Sequence, residues 1–265
     1  MITIKSPREI ETMRRSGTVT SRVLGNLMRA VRPGMTTRQL DELAEEQIRE
    51  LGGIPTFKGY NGFPASICTS VNDEVVHGIP SAYVLKDGDL LSIDIGTTLE
   101  RYVSDSAVTV AVGEISPAAQ RLLRVTQECL MRAVACMQPG AFLGDIGAAV
   151  QAHAERSGYG VVRELVGHGI GTRMHEEPQV PNFGKTGSGM ELRPGLVLAV
   201  EPMITQGDFA VETLEDGWTV VTADGKLAAH FEHTIAITDA GPKILTLRDV
   251  GERPEAYEYA PGVAA

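Results

Sequence analysis

The chain has 265 residues, 43% of them hydrophobic and 22% charged, with a formal net charge of -10 at pH 7. That balance describes a soluble globular protein able to bury a full core, and it excludes disordered and fibrous classes. The acidic surplus, with Lys and Arg dispersed along the chain, argues against a nucleic-acid partner.

Met1 to Pro7 shows no basic region followed by an apolar core, and no run reaches the length of a membrane span, so a cytoplasmic location is expected. Ser6-Pro7-Arg8-Glu9 has the spacing of a capping box and predicts a long helix that stops before Pro33-Gly34. A second box, Thr36 to Gln39, opens a helix with Leu40, Leu43, Ala44, Ile48 and Leu51 on one face, closed by Gly52-Gly53. Ile54 to Pro64 reads as a loop. Strands are predicted over Ser66–Val76, Leu90–Thr97 and Val103–Val112, all rich in β-branched residues.

The same order then recurs. Ser116-Pro117 opens a helix that stops before Pro139-Gly140, another helix spans about Leu143 to His153, and strands follow over Val197–Ile204 and Ala229–Ile237. Pro33-Gly34 maps onto Pro139-Gly140 at an offset of 106. Lys86 to Asp94 maps onto Arg193 to Glu201 at 107, and His77-Gly78-Ile79 onto His168-Gly169-Ile170 at 91. Each half reads helix, Pro-Gly turn, helix, loop, a strand with His-Gly-Ile, and a hairpin carrying acids. The fold class is α+β or α/β: one domain over 1–250, with pseudo-repeat halves at about 6–112 and 116–240 joining into a curved sheet under helices, and a loose tail over 251–265.

Asp94, Asp105, His168, Glu201 and Glu232 are the candidate metal ligands. Taken singly, Asp94 could be a turn acid, Asp105 a solvated strand residue and His168 a satisfied polar side chain. In apolar strand contexts, however, a carboxylate costs several kcal/mol unless a cation or donor compensates it. The repeat brings Asp94 and Glu201 together. Such an oxygen-rich set with one imidazole suits two divalent ions, Mn, Fe, Co or Zn, rather than a thiolate site. A pair of ions ~3.5–4 Å apart activates water near neutral pH, so hydrolysis is the implied reaction. Cys68, Cys129 and Cys136 show no CxxC spacing and suggest reduced thiols.

Gly59-Tyr60-Asn61-Gly62-Phe63-Pro64, Ser70 to Pro80, Gly167-His168-Gly169-Ile170-Gly171, His175-Glu176-Glu177-Pro178 and Phe231-Glu232-His233-Thr234 resemble the type I methionine aminopeptidase family over nearly the whole chain from Ser6 to about Leu247. The resemblance implies the pita-bread fold around a dinuclear centre and excision of an initiator methionine from nascent chains when the second residue is small. It assigns Asp94 to one ion, His168 and Glu201 to the other, and Asp105 and Glu232 as bridges. Glu201 would also shuttle protons, and His77 and His175 would contact the scissile peptide as catalytic groups outside the metal shell. A methionine pocket is implied at Tyr60, Phe63, Cys68, Met174 and Trp218, where aromatic and thiol groups suit a thioether.

Two positions depart from the family pattern. Asn61 stands where a His usually follows the Tyr, and Met174 where an aromatic commonly precedes the substrate-contacting His. Only 32 residues lie between His168 and Glu201, too few for the helical insertion of type II enzymes. The partners implied are nascent polypeptide amino termini and, through the domain's own surface, the ribosome; a monomer is expected. Two alternatives stand beside this reading: a proline-directed peptidase of the same fold, whose extra amino-terminal domain the sequence lacks, and a non-catalytic binding module, which loss of metal ligands would mark.

Overall fold

Ser6 opens the first helix as predicted. Its hydroxyl accepts from the Glu9 amide, the Glu9 carboxylate accepts from the Ser6 amide, and Pro7 takes the first helical position of α1 (Pro7–Ala30). Thr36 and Gln39 form the same reciprocal cap on α2 (Thr37–Glu50). Next come β1 (Ile54–Pro55), β2 (Ile67–Val71), β3 (Glu74–Val76), β4 (Leu90–Leu99) and β5 (Tyr102–Ala111). The order then repeats in this computed structural model, which describes residues 2–248. Ser116 caps α3 (Pro117–Cys136), and α4 (Leu143–Arg156) follows. The remaining strands are β6 (Gly160–Val161), β7 (Gly167–Gly169), β8 (Glu176–Val180), β9 (Val197–Val200), β10 (Met203–Thr205), β11 (Val211–Thr213), β12 (Val220–Thr222), β13 (Ala228–His230), β14 (His233–Thr238) and β15 (Gly241–Ile244). The tail expected over 251–265 lies outside the described residues.

Among the described residues all strand pairs are antiparallel, in four ladders: β1-β4-β2 with β5 on β4, β13-β10-β6, β11-β12-β3, and β15-β14-β9-β7-β8. Helices and antiparallel strands together make the class α+β. One continuous core ties the helices to the strands: Leu24, Leu27, Leu40 and Ile48 of α1 and α2, Leu122 and Leu130 of α3, and Ile93, Ile95, Leu198 and Ile235 of the strands are all buried in it. Each such side chain stabilises the fold by ~1.5–3 kcal/mol of apolar burial. At Gly17 the α1 backbone lies against the Leu245 carbonyl, so close that a Cβ would stand 2.2 Å from that oxygen.

Three predicted strands are interrupted, and the interruptions have physical causes. Ser66–Val76 divides at Asn72-Asp73, where Asn72 adopts a φ of 59° and turns the chain. Val197–Ile204 divides at Glu201-Pro202, between β9 and β10, because the chain leaves one ladder for another there. Ala229–Ile237 divides in the same way at Phe231-Glu232, between β13 and β14. Glu201 and Glu232 therefore stand in breaks, not inside strands. His77, expected within a strand, lies just beyond β3 with a φ of 61°.

Candidate active site

The β4–β5 hairpin settles which face its acids share. Asp94 is paired with Ala107 and Asp105 with Gly96, so the two carboxylates are diagonal neighbours on one face. The two-residue turn that fixes this register is Glu100-Arg101, both with positive φ (49° and 74°).

A seam of hydrogen bonds joins β5 to the β13–β14 break. The Asp105 amide donates to the Thr234 hydroxyl, which donates back to the Asp105 carbonyl, at 2.9 and 2.8 Å. Beside it, the Glu232 amide donates to the Ala107 carbonyl and the Ser106 hydroxyl to the Glu232 carbonyl. Glu232 is thereby brought to Asp105 across 127 positions of sequence. His168 on β7 is paired with Ala199, two residues before Glu201. Its Nε2 lies 3.7 Å from Glu201 Oε1 and 3.8 Å from Asp105 Oδ2. When Nδ1 carries the proton it donates to the Gly169 carbonyl at 2.9 Å, leaving the Nε2 lone pair facing the acids.

Ligand atoms of Asp105, His168 and Glu232 lie within 4.8 Å of one another, and all three residues are buried. Burial above all, then the neighbouring carboxylates Glu232 and Asp94, drives Asp105 well above the usual carboxylate range. Glu201 and Glu232 move the same way for the same causes. Asp94 is pushed up to about 7 by burial. The His168 imidazole goes down to about 4, by burial and by His175. Asp94 Oδ1, Asp105 Oδ1 and Glu232 Oε1 are buried with no hydrogen-bond partner among the described residues. Unpartnered oxygens on mutually repelling acids, beside a neutral imidazole, are a donor set that divalent cations satisfy.

These residues floor a cavity of about 220 Å³, room for a side chain and several waters. All seven residues predicted for substrate, Tyr60, Phe63, Cys68, His77, Met174, His175 and Trp218, line it. Cys68 arrives there as the β2 partner of Asp94, with its thiol raised by burial and by the nearby acids, and so uncharged at neutral pH. Trp218 arrives through β12, which pairs with β3; its ring meets Phe63 edge-on at 5.1 Å and His77 at 6.5 Å. Across the cavity the Tyr60 hydroxyl lies 2.6 Å from His175 Nδ1, and the His175 ring is 4.3 Å from that of His168. Burial lowers both His77 and His175, so both are neutral imidazoles at pH 7.

Sequence reasoning missed Phe57, Val76, Leu165, Val166 and Met203, which also line the cavity. Such residues carry no signal beyond apolar character. It also missed His230, fully buried with its Nε2 3.7 Å from Glu201 Oε2, although a His two residues before the candidate ligand Glu232 was a visible cue. Arg248, buried and donating to Ser106 and Ala107, draws Glu232 back towards ionisation from behind the acids.

The model of metallopeptidase family M24 matches residues 11–239. Methionine aminopeptidase of Clostridium perfringens is 51% identical over 247 residues, covering 93% of this chain and 99% of that one. Methionine aminopeptidase 1 of Bacillus subtilis is 51% identical over 246 residues, with the same coverage. The crystal structure of the Thermotoga maritima methionine aminopeptidase superposes with a TM-score of 0.91 at 45% identity, over 93% of this chain and 99% of that one. Prolidase from Pyrococcus furiosus, 21% identical with a TM-score of 0.74, shares the fold. The chain belongs to metallopeptidase family M24, among its methionine aminopeptidases.

Proposed function

We propose that this chain is a metal-dependent aminopeptidase that removes the initiator methionine from nascent polypeptides when the second residue is small. One observation carries the reading. A cluster of buried acids with unpartnered oxygens forms the floor of a cavity whose walls are aromatic, thiol and thioether side chains. The floor suits divalent cations and the walls suit a methionine side chain.

Asp94, Asp105, His168, Glu201 and Glu232 would hold two ions, with Asp105 and Glu232 shared between them and Co, Mn, Fe or Zn all compatible with the donor set. Bound there, divalent ions polarise the scissile carbonyl and lower the pKa of water. The protein's own groups do the rest. Tyr60, Phe63, Cys68, Met174 and Trp218 desolvate the methionine side chain and fix its depth. His77 and His175, neutral at pH 7, each have one N–H to donate to the carbonyl oxygen of the scissile peptide, where negative charge develops, and one nitrogen able to accept from its amide N–H. Glu201, whose carboxylate faces the cavity, would take a proton from water and pass it to the departing amine. Asn61 lines the mouth of the cavity with a φ of 48°, leaving it a smaller side chain there than the family's His.

No helix of the described residues is long and apolar enough to cross a membrane. We place the enzyme in the cytoplasm as a monomer that meets emerging chains, through its own surface, at the ribosome. Its single catalytic domain spans 1–250, with halves at about 6–112 and 116–240.

The test is mass spectrometry of Met-Ala-Ser, Met-Lys-Ser and Leu-Ala-Ser peptides incubated with metal-loaded protein. Release of the first residue from Met-Ala-Ser alone is expected. Equal release from Leu-Ala-Ser would remove the methionine pocket from the account, and release from none would favour a binding module.

A further inference from the structure

We infer that the amino-terminal arm, through Lys5 and Thr3, is a strap that positions the loop carrying Met174 and His175. The inference rests on the roles proposed above for those two residues. The loop runs from Gly171 to His175 and ends at Glu176, the first residue of β8. Glu176 is buried, and its carboxylate has four donors. Oε1 accepts from the amides of Thr172 and Arg173, at 3.0 and 3.2 Å, closing the loop on itself. Oε2 accepts from the Thr3 hydroxyl at 2.6 Å and the Lys5 ammonium at 2.9 Å.

Lys5 also donates to Thr3 Oγ1 at 2.7 Å, so the three side chains form one network. The Lys5 and Glu176 side chains are only 6% and 4% exposed. Burial alone would raise the Glu176 carboxyl, yet Thr3 and Lys5 outweigh it and hold it lowered.

The arm is itself fixed. The Lys5 amide donates to the Gly195 carbonyl at 2.7 Å, and Ser6 caps α1 immediately afterwards. Gly171 packs so tightly here that a Cβ would stand 2.6 Å from Glu176 Oε1 and 2.8 Å from Lys5 Cε. At the far end of the same loop, Met174 is buried in the cavity wall and His175 meets Tyr60. Releasing Glu176 from the arm would free the loop closure and shift both residues, and a displacement of about 1 Å at a reacting centre costs up to about a hundredfold in rate. Lys5 and Thr3 are thus positioning residues, 171 and 173 positions from the carboxylate they hold.

The test compares wild type, Lys5→Met, Lys5→Arg and Thr3→Val, each alone and combined with His175→Ala, in Met-Ala-Ser turnover at saturating Mn(II), with hydrogen exchange over 171–176. In Lys5→Met, kcat/KM should fall by about tenfold or more, and exchange at Thr172 and Arg173 should quicken. Lys5→Arg should restore most of both. Thr3→Val keeps the buried ion pair and the fold, and should show the same changes in smaller measure. In the His175→Ala background, Lys5→Met should add far less than it does alone, because the two act through one contact. Wild-type rates and exchange in both Lys5→Met and Thr3→Val would overturn the strap. So would full additivity with His175→Ala, or loss of turnover without faster exchange. An inactive wild type would instead count against the aminopeptidase reading, and the exchange data would still decide the strap.

Discussion

At Asp105 two demands conflict. Its backbone belongs to the seam with Thr234, which needs no carboxylate, while its side chain is forced against Glu232 and Asp94 in a buried site. Asp105→Asn should therefore leave the fold intact and raise the Tm of metal-stripped protein by about 2–4 °C, the response of a domain this size to about 1 kcal/mol gained when an acid that must take up a proton to be buried becomes a neutral amide. It should also abolish methionine release. Calorimetry of the stripped protein at pH 7 checks the first half; a fall in Tm would mean that burying the Asp105 carboxyl carries no such cost. At this scale the sequence was informative. Asp94, Asp105, Glu201 and Glu232 could be singled out because an acid in an apolar run needs a partner, and His168 because its His-Gly-Ile repeats that of His77; the structure gathers all five around one cavity. Glu176 could not, because an acid beside Glu177 and Pro178 looks solvated, and its partner Lys5 is 171 positions away.

Among the elements, α1 shows packing overriding intrinsic preference. Alanine is favoured over glycine in a helix interior by about 1 kcal/mol. Yet Gly17 faces the Leu245 carbonyl with no space for a methyl group, and Leu245 is backbone that cannot swing away. Gly17→Ala should lower stability by a net ~1–3 kcal/mol, seen as a lower urea midpoint at constant slope. An unchanged or higher midpoint would show that α1 can move off the strands. Helix starts were legible because Ser6-Pro7, Thr36 and Ser116-Pro117 are local signals that act on the next few amides. The strand breaks at Glu201-Pro202 and Phe231-Glu232 were not. β-Branched and apolar residues continue on both sides, and the change of ladder is decided by partners distant in sequence. Those breaks are what aim the two glutamates at the centre.

Over the whole molecule, the site is complete only when segments of the chain far apart in sequence meet, from the β4–β5 hairpin to the β13–β14 break. Its five candidate ligands come from β4, β5, β7 and the two breaks. The offset between the repeats was visible in sequence; the hydrogen-bonded seam that joins them was not, since it depends on the register of β5 against the β13–β14 break. The charge state of the assembled site has a pH consequence. Asp94 is raised to about 7, and Asp105, Glu201 and Glu232 are raised well above the carboxylate range, mainly by burial, so the metal-free site retains protons that ordinary carboxylates would have lost. Cations must displace those protons, so binding releases them and weakens as pH falls. Titration calorimetry with Mn(II) should show lower affinity at pH 5.5 than at pH 7.5, and a heat that depends on the buffer; affinity independent of pH would contradict the raised carboxyls. The most direct measurement is methionine release from Met-Ala-Ser by fully stripped protein as Mn(II) is added back in known equivalents. Turnover should be absent at the start and rise with added ion to a plateau. Undiminished turnover by the stripped protein would mean that the buried acids do not act through metal.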